Sequence, residues 1–294
     1  MSLTGYLSIT RPVNALASGI ATAIAYFIVG GSEPYLMGLL CAIVTFICAG
    51  GNALNDYFDV EIDTINRPNR PIPSGRVSLR GAFIFSFVLF AAGFVLSFFT
   101  GAACIAIALL NILLLIVYSS NFKRMLVFGN VCVAYLSGSL FLFGGLAAGP
   151  ESLWITAPLF LITFLGTACR EMLKDAEDIS GDKKAGALTL AMILGVRRTA
   201  WAAFFVMLAG ILVSFVPYAT WGLPYLMVIA PVDVFLFFAA RSALSCRTEQ
   251  ELIAKKTTGY LKGGMFAAVL VFLLMAILTR FFIGVFLSQN LLIS

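Results

Sequence analysis

Histidine is absent from this sequence, and charge is scarce: 19 lysines and arginines and 14 aspartates and glutamates in 294 residues, or 11%. The first absence removes the commonest nitrogen ligand of transition metals and leaves oxygen donors, which suit hard cations. The second excludes a soluble fold, because soluble domains carry roughly 25% charged residues. No long polar stretch is available for a separate aqueous domain. No two cysteines have C-x-x-C spacing. The six (Cys41, Cys48, Cys104, Cys132, Cys169 and Cys246) are scattered through mostly apolar segments and read as small packing residues, not metal ligands. No basic stretch precedes the first apolar run, which is long enough to span. That run reads as a retained helix and not as a cleaved signal.

What remains is 61% hydrophobic, with a mean hydropathy of +1.01. This predicts an all-α polytopic membrane protein with one transmembrane domain over residues 1–294. Nine spans are expected, at roughly 12–29, 35–56, 79–99, 102–118, 126–147, 153–174, 197–216, 223–241 and 262–286. Thr10-Arg11-Pro12 has the form of a helix start, with proline where its missing N–H does no harm. Between the second and third spans, the stretch from Asn66 to Gly75 is too rich in proline to be helical.

Basic residues set the orientation. The loops after the first, third, fifth and seventh spans contain no lysine or arginine. The N-terminus and the loops after the even-numbered spans, with the helix ends bordering them, hold 18 of the 19, Arg280 being the exception. The positive-inside rule puts that side in the cytoplasm of a multi-pass cell-membrane protein.

Acidic residues are more concentrated still, nine of the 14 lying in the windows 56–63 and 171–182. The first window holds Asn55, Asp56, Asp59 and Asp63. If the second span continues through it, Asn55, Asp59 and Asp63 share one helical face. The second window repeats the three- and four-residue spacing in Asp175, Asp178 and Asp182. Four spans separate the windows, so both emerge on the cytoplasmic side. Two oxygen-rich faces at membrane helix ends suit a diphosphate held through Mg²⁺, which binds through a few carboxylates plus substrate phosphate. Solvated helix ends would not need the spacing twice. The repetition also suggests two parallel halves.

Cations accompany the acids: Arg67, Arg70, Lys123, Arg124, Arg170 and Lys174. Positive-inside topology explains their sidedness alone. Arg170 and Lys174, however, precede Asp178 by eight and four residues, and are placed to pair with the acids or to hold phosphate oxygens. Lys123 follows Tyr118 across a short link. Tyr118 is kept with the catalytic candidates, and Asn14, early in the first span, with the substrate-binding ones. Asp233 is an intramembrane carboxylate, either functional or a structural hydrogen-bonding group. Some of the 27 phenylalanines would line a tunnel and steady a carbocation.

At these residues the chain resembles the UbiA superfamily of intramembrane prenyltransferases. Asn55, Asp56, Asp59 and Asp63 meet its N-D-x-x-D-x-x-x-D motif, and Asp175, Asp178 and Asp182 its second aspartate-rich motif. Stretches from Ile65 to Gly75 and from Cys169 to Gly186 resemble its archaeal ether-lipid branch. The resemblance implies a nine-helix bundle and two Mg²⁺ ions, Asn55 and Asp59 holding one, Asp178 and Asp182 the other. It implies that Asp56, Asp63 and Asp175 support the metals or position the acceptor, and that Arg67, Lys123 and Lys174 hold phosphates. The implied reaction moves a geranylgeranyl group from its diphosphate to the hydroxyl of geranylgeranylglyceryl phosphate. Partners are then a prenyl diphosphate, a lipid-phosphate acceptor and membrane lipid. No nucleic acid or obligatory protein partner is indicated.

An aromatic acceptor, as in quinone pathways, would leave the metal site unchanged. A Mg²⁺ transporter would string its acids across the bilayer, whereas here they gather at one face. A phospholipid-headgroup transferase would carry a D-G-x-x-A-R…D pattern, which is missing.

Overall fold

The computed structural model describes residues 2–120, 126–184, 186 and 188–291, with the side chains of residues 184 and 282–291 left aside. Among the described residues the regular elements are helices. In order they are α1 (Leu3–Ile9), α2 (Pro12–Ile28), α3 (Pro34–Phe58), α4 (Val60–Asn66), α5 (Leu79–Ser97), α6 (Ala102–Ser120), α7 (Phe128–Leu146), α8 (Leu153–Glu177), α9 (Ile179–Lys184), α10 (Leu190–Val213), α11 (Tyr218–Ser242), α12 (Glu249–Lys255) and α13 (Thr257–Leu291). Eight are long and apolar enough to cross a membrane, and α2 is a shorter apolar helix of 17 residues. At 1.5 Å per residue it is about 26 Å long, close to the thickness of a hydrocarbon core. These are the nine expected spans.

Three spans depart from expectation by five residues or more, the ninth, α13, running from Thr257 to Leu291 and not from 262 to 286. The seventh span begins at Leu190 and not near Arg197, because two helical pieces meet at Gly195, whose φ of 73° a side chain would disfavour. The eighth begins at Tyr218, where a turn meets the main helix at Gly222 (φ 62°). The short helices α1, α4, α9 and α12 were not expected. Each buries too few apolar side chains to produce a long periodic pattern.

The packing repeats. Helix α3 lies against α2 and α5, and α8 lies against α7 and α10 in the same way. Both α3 and α8 have 25 residues, and both end at an aspartate, Asp59 and Asp178. This is the parallel-halves arrangement that the doubled acidic spacing suggested. The halves join where α2 meets α7 closely enough that a Cβ on Gly144 would collide with the carbonyl oxygen of Thr22. Helix α13 then packs on α11, α8 and α2.

Arg280, the one basic residue away from the cytoplasmic set, has a structural occupation. Its Nη2 donates to the carbonyl oxygens of Phe27 (3.0 Å) and Gly31 (2.6 Å) at the C-terminal end of α2. Its guanidinium also lies 3.7 Å from the centroid of the Phe27 ring. A cation at a helix C-terminus, satisfying otherwise orphaned carbonyls, ties α13 to α2.

At the opposite end, the proline-rich loop is non-helical, as expected, but held. The Ser2 N–H donates to Arg76 O (2.9 Å), Arg76 Nη2 to Asn69 O (2.6 Å) and the Val77 N–H to Pro71 O (3.0 Å). Ile9 of α1 packs with Ile72, Val77 and Ala82 beneath it. The loop is thereby fixed beside the first acidic motif.

Candidate active site

The first motif straddles a break. Helix α3 stops at Phe58, and Asp59 caps it with φ −86° and ψ 0° before α4 starts at Val60. Helical bonding continues across the break, from the Asp59 N–H to Asn55 O (3.0 Å) and from the Asp63 N–H to Asp59 O (2.8 Å). The side chains nevertheless separate into two groups, which corrects the expectation of one three-oxygen face. Asn55 Nδ2 donates to Asp59 Oδ2 at 3.0 Å. Asp56 and Asp63, both buried, turn instead to arginine. Arg70 Nη1 lies 3.2 Å from Asp56 Oδ1 and 2.6 Å from Asp63 Oδ2, and Arg11 Nη2 lies 2.7 Å from Asp56 Oδ1. The cause is desolvation: buried carboxylates need compensating cations or protons.

Arg11 was read only as part of a helix start. It sits in the left-handed region (φ 48°, ψ 63°), where its Cβ is strained, directly before Pro12. Strain of this kind persists where surrounding contacts fix it, and here the Asp56 ion pair does so. The available signal was an arginine opening a membrane helix at the same face as two acidic motifs.

The second motif has the same plan with different partners. Asp178 caps α8, and the Asp182 N–H donates to Asp178 O (2.9 Å) across the break into α9. Asp175 accepts from Asn130 Nδ2 at 2.7 Å. Asn130 stands at the start of α7, as Arg11 stands at the start of α2, so each half steadies its leading aspartate from the corresponding helix. A Cβ on Gly181 would collide with Asp178 Oδ1, so glycine is what lets that carboxylate lie where it does. Among the described residues no lysine or arginine pairs with Asp178 or Asp182. Burial and the neighbouring Asp178 carboxylate raise the Asp182 pKa above the usual carboxylate range.

Arg170 and Lys174 are tied to Glu171, not to the motif aspartates. Arg170 Nη1 reaches Glu171 Oε1 at 2.5 Å and Lys174 Nζ reaches Glu171 Oε2 at 2.9 Å. Glu171 lies within one helical turn of both and is the nearer acid. Arg67 is exposed, with its guanidinium unpartnered among the described residues. Asn14 is exposed and does not itself line the cavities described below, but Ala17, Ser18 and Ala21, three, four and seven residues further along α2 and on the same helical face, do. Asn52 on α3 donates to Thr10 O at 2.9 Å and lines one of them. Lys123 and Arg124 lie outside the described residues.

Tyr118, at the end of α6, stands between the motifs, within electrostatic reach of Asp59 from the first and of Glu171 and Asp175 from the second. It also lines a cavity of about 380 Å³ with Arg11, Asn52 and Asn111, the rest of the lining being mainly apolar. A second cavity, of about 410 Å³, extends between α8, α10, α11 and α13. The two meet at Ser18, Ser137 and Leu140, which line both. Asp233 lines the second, its Oδ2 accepting from Ser214 Oγ (2.7 Å), while Tyr225 donates to Ser214 O (2.7 Å). It is both a satisfied structural group and a cavity wall. Lys262 and Phe266 stand at this cavity's exposed side.

These residues suit a hard divalent cation. The donors are oxygens, and in the second motif two adjacent carboxylates have no cationic partner among the described residues. No three acidic or cysteine side chains among the described residues converge on one point. That is the expected donor set for Mg²⁺, which takes one or two carboxylates from the protein and completes its shell with water and phosphate.

The family model for UbiA prenyltransferases matches residues 18–257. A digeranylgeranylglyceryl phosphate synthase of Methanoregula boonei is 48% identical over 94% of this chain and 99% of its own. That of Methanoculleus marisnigri is 47% identical over 95% and 100%. A solved structure from work on digeranylgeranylglyceryl phosphate synthase in membranes has a TM-score of 0.84 and 35% identity, over 94% of this chain and 98% of that one. A UbiA homologue from Archaeoglobus fulgidus, solved with GPP and Mg²⁺, shares the fold at a TM-score of 0.68 and 19% identity, over 90% and 99%. The chain therefore belongs to the UbiA prenyltransferase family.

Proposed function

We propose that this enzyme transfers a geranylgeranyl group from geranylgeranyl diphosphate to the free hydroxyl of geranylgeranylglyceryl phosphate, forming the second ether of an archaeal lipid. The observation that carries the reading is the pair of apolar cavities meeting at Ser18, Ser137 and Leu140, one reaching Arg11 and Tyr118 beside the motifs. Each is of a size that holds a small ligand (roughly 300–1,000 Å³). Two long chains, one on the donor and one on the acceptor, need two such spaces. An aromatic acceptor needs only one. The names of the relatives agree with this choice.

Two Mg²⁺ ions, one held by Asn55 and Asp59 and the other by Asp178 and Asp182, would neutralise the diphosphate as it leaves. The remaining work belongs to the chain. Arg11 and Arg70 fix Asp56 and Asp63, and Asn130 fixes Asp175, so that each half presents its acids in a set geometry. Arg67, Lys123, Arg170 and Lys174 hold phosphate oxygens of the two substrates, with Arg170 and Lys174 released from Glu171. The apolar walls exclude water from the allylic cation formed when the C–O bond breaks, and the glyceryl hydroxyl attacks it, its proton passing to the departing diphosphate. Tyr118 lines the point where chain and diphosphate meet.

The test compares kcat/KM for geranylgeranylglyceryl phosphate, its dephosphorylated alcohol and 4-hydroxybenzoate under one supply of geranylgeranyl diphosphate. The lipid phosphate should be preferred. If the aromatic acid wins, the quinone-pathway reading replaces this one.

The 18-of-19 bias of basic residues supports a site at the cytoplasmic face of the cell membrane. In a background without native cysteines, Ser74→Cys and Lys183→Cys should label only from the cytoplasm, and Glu33→Cys and Glu151→Cys only from outside. Labelling of positions 74 and 183 from opposite faces would rule out a shared site.

A further inference from the structure

A third cavity, of about 600 Å³, lies between α10 and α11 and is lined by Trp201, Phe238, Arg241, Ser242, Leu244 and Ser245. It shares no lining residue with the two cavities of the active site. Its walls differ from top to bottom. Trp201 and Phe238 are 42% and 56% exposed, so large aromatic surfaces face outward. Trp201 and Phe205, with ring centroids 5.9 Å apart, extend that apolar wall along α10. At the basic end, Arg241 is exposed and its guanidinium has no partner among the described residues. Lys255, from the end of α12, donates to Ser242 O (2.8 Å) and to Ser245 Oγ, which brings a second cation against two of the lining residues. Arg197 and Arg198 precede Trp201 by four and three residues, so they share its helix face, and both are exposed.

Positive-inside topology accounts for cations at this end of the bundle. It does not account for a concave site that sets cations, hydroxyls and bare aromatic walls around one space. Basic pockets between membrane helices on the cytoplasmic side bind anionic headgroups, and exposed tryptophan marks the interfacial level. We infer that this groove retains an anionic phospholipid of the surrounding membrane, its phosphate on Arg241 and Lys255 and its chains along Trp201 and Phe238.

Occupancy would reach the second acidic motif. Lys255 ties α12 to the end of α11. Glu249, the first residue of α12, accepts from the Ser180 N–H (3.3 Å) and from Ser180 Oγ (2.8 Å), and Ser180 lies between Asp178 and Asp182. A phosphate that fixes Lys255 therefore steadies α12 and, through Glu249, the turn carrying both aspartates. Activity should be higher in bilayers containing anionic lipid.

The full-length protein is reconstituted in phosphatidylcholine bilayers with and without phosphatidylglycerol, and retained lipid is counted by native mass spectrometry. This readout does not depend on the reaction. Wild type should retain phosphatidylglycerol, and Arg241→Gln and Lys255→Gln should each weaken retention about fivefold, as expected for about one basic residue at a membrane surface. Arg241→Lys should retain most of it. Arg80→Gln, an exposed arginine of the other half, should change nothing. Thermal unfolding in phosphatidylcholine alone checks that the variants fold, and Lys255→Gln carries the test if Arg241→Gln does not. Retention equal in wild type, Arg241→Gln and Lys255→Gln overturns the site. Full displacement by glycerol 3-phosphate, which has the charge without the chains, overturns the assignment to a lipid.

Discussion

Asp182→Ala is expected to lower turnover by at least about 10²-fold, the size of effect seen when one preorganised electrostatic contact to a developing charge is removed. Asp59→Ala should do the same from the other half, and excess EDTA should abolish turnover of the wild type. The two halves treat their acids differently. In the first, Asp56 and Asp63 are neutralised by Arg11 and Arg70. In the second, Asp178 and Asp182 repel each other with no cationic partner among the described residues, and burial first, then the Asp178 charge, raise the pKa of Asp182. Negative charge left unpaired in a folded protein is charge reserved for a ligand. Removing one of the crowded carboxylates should leave the melting temperature unchanged or slightly higher, so lost turnover would not reflect lost fold. Gly181→Ala should lower turnover less than Asp178→Ala, because its Cβ would turn the Asp178 carboxylate aside without removing it. Full activity in excess EDTA would reject the metal-dependent reading, whatever the variants do.

The membrane bundle was legible because the bilayer imposes one pattern, long apolar runs separated by short polar links, and because basic residues gather on one side. The spacing Asp56, Asp59, Asp63 and its repeat Asp175, Asp178, Asp182 was legible for a similar reason: nothing else in so acid-poor a chain competes with it. What escaped depends on three dimensions. Sequence periodicity makes Asn55, Asp59 and Asp63 a single face. It does not reveal that Asp63 is buried and that Arg70, on a proline-rich loop held by Ser2 and Asn69, is folded back onto it. It puts Asn14 near the site, but does not reveal that Asn52 on α3 lines a cavity beside Arg11 and donates to Thr10 O. Spacing placed Arg170 and Lys174 to pair with the acids or to hold phosphate, and it did not reveal that Glu171, beside the one and a turn from the other, pairs with both. Arg11 was hidden by its neighbour, since a proline at a helix start is explanation enough until the arginine before it is found in a strained conformation against Asp56.

Arg70→Ala should destabilise the protein by on the order of 3–5 kcal/mol, the range for removing one partner of a buried ion pair. Nη1 of Arg70 contacts both Asp56 and Asp63, whose side chains are each 7% exposed, while its own is 23% exposed. Removing it leaves Asp63 with no cation among the described residues and Asp56 with Arg11 alone, and the stranded charge is the source of the cost. The companion substitutions separate this from a general loss of packing. Asp63→Asn combined with Arg70→Ala removes the stranded charge and should recover much of the stability without recovering turnover. Arg67→Ala, three residues away on the same loop and exposed, should leave stability within about 0.5 kcal/mol of wild type, as surface substitutions do, and weaken substrate binding instead. Thermal unfolding in one detergent, with kcat and KM measured separately, distinguishes the three. If Arg70→Ala melts with the wild type, the arginine does not hold the first motif together. If Arg70→Ala loses stability and the added Asp63→Asn restores none of it, packing and not stranded charge is the cause.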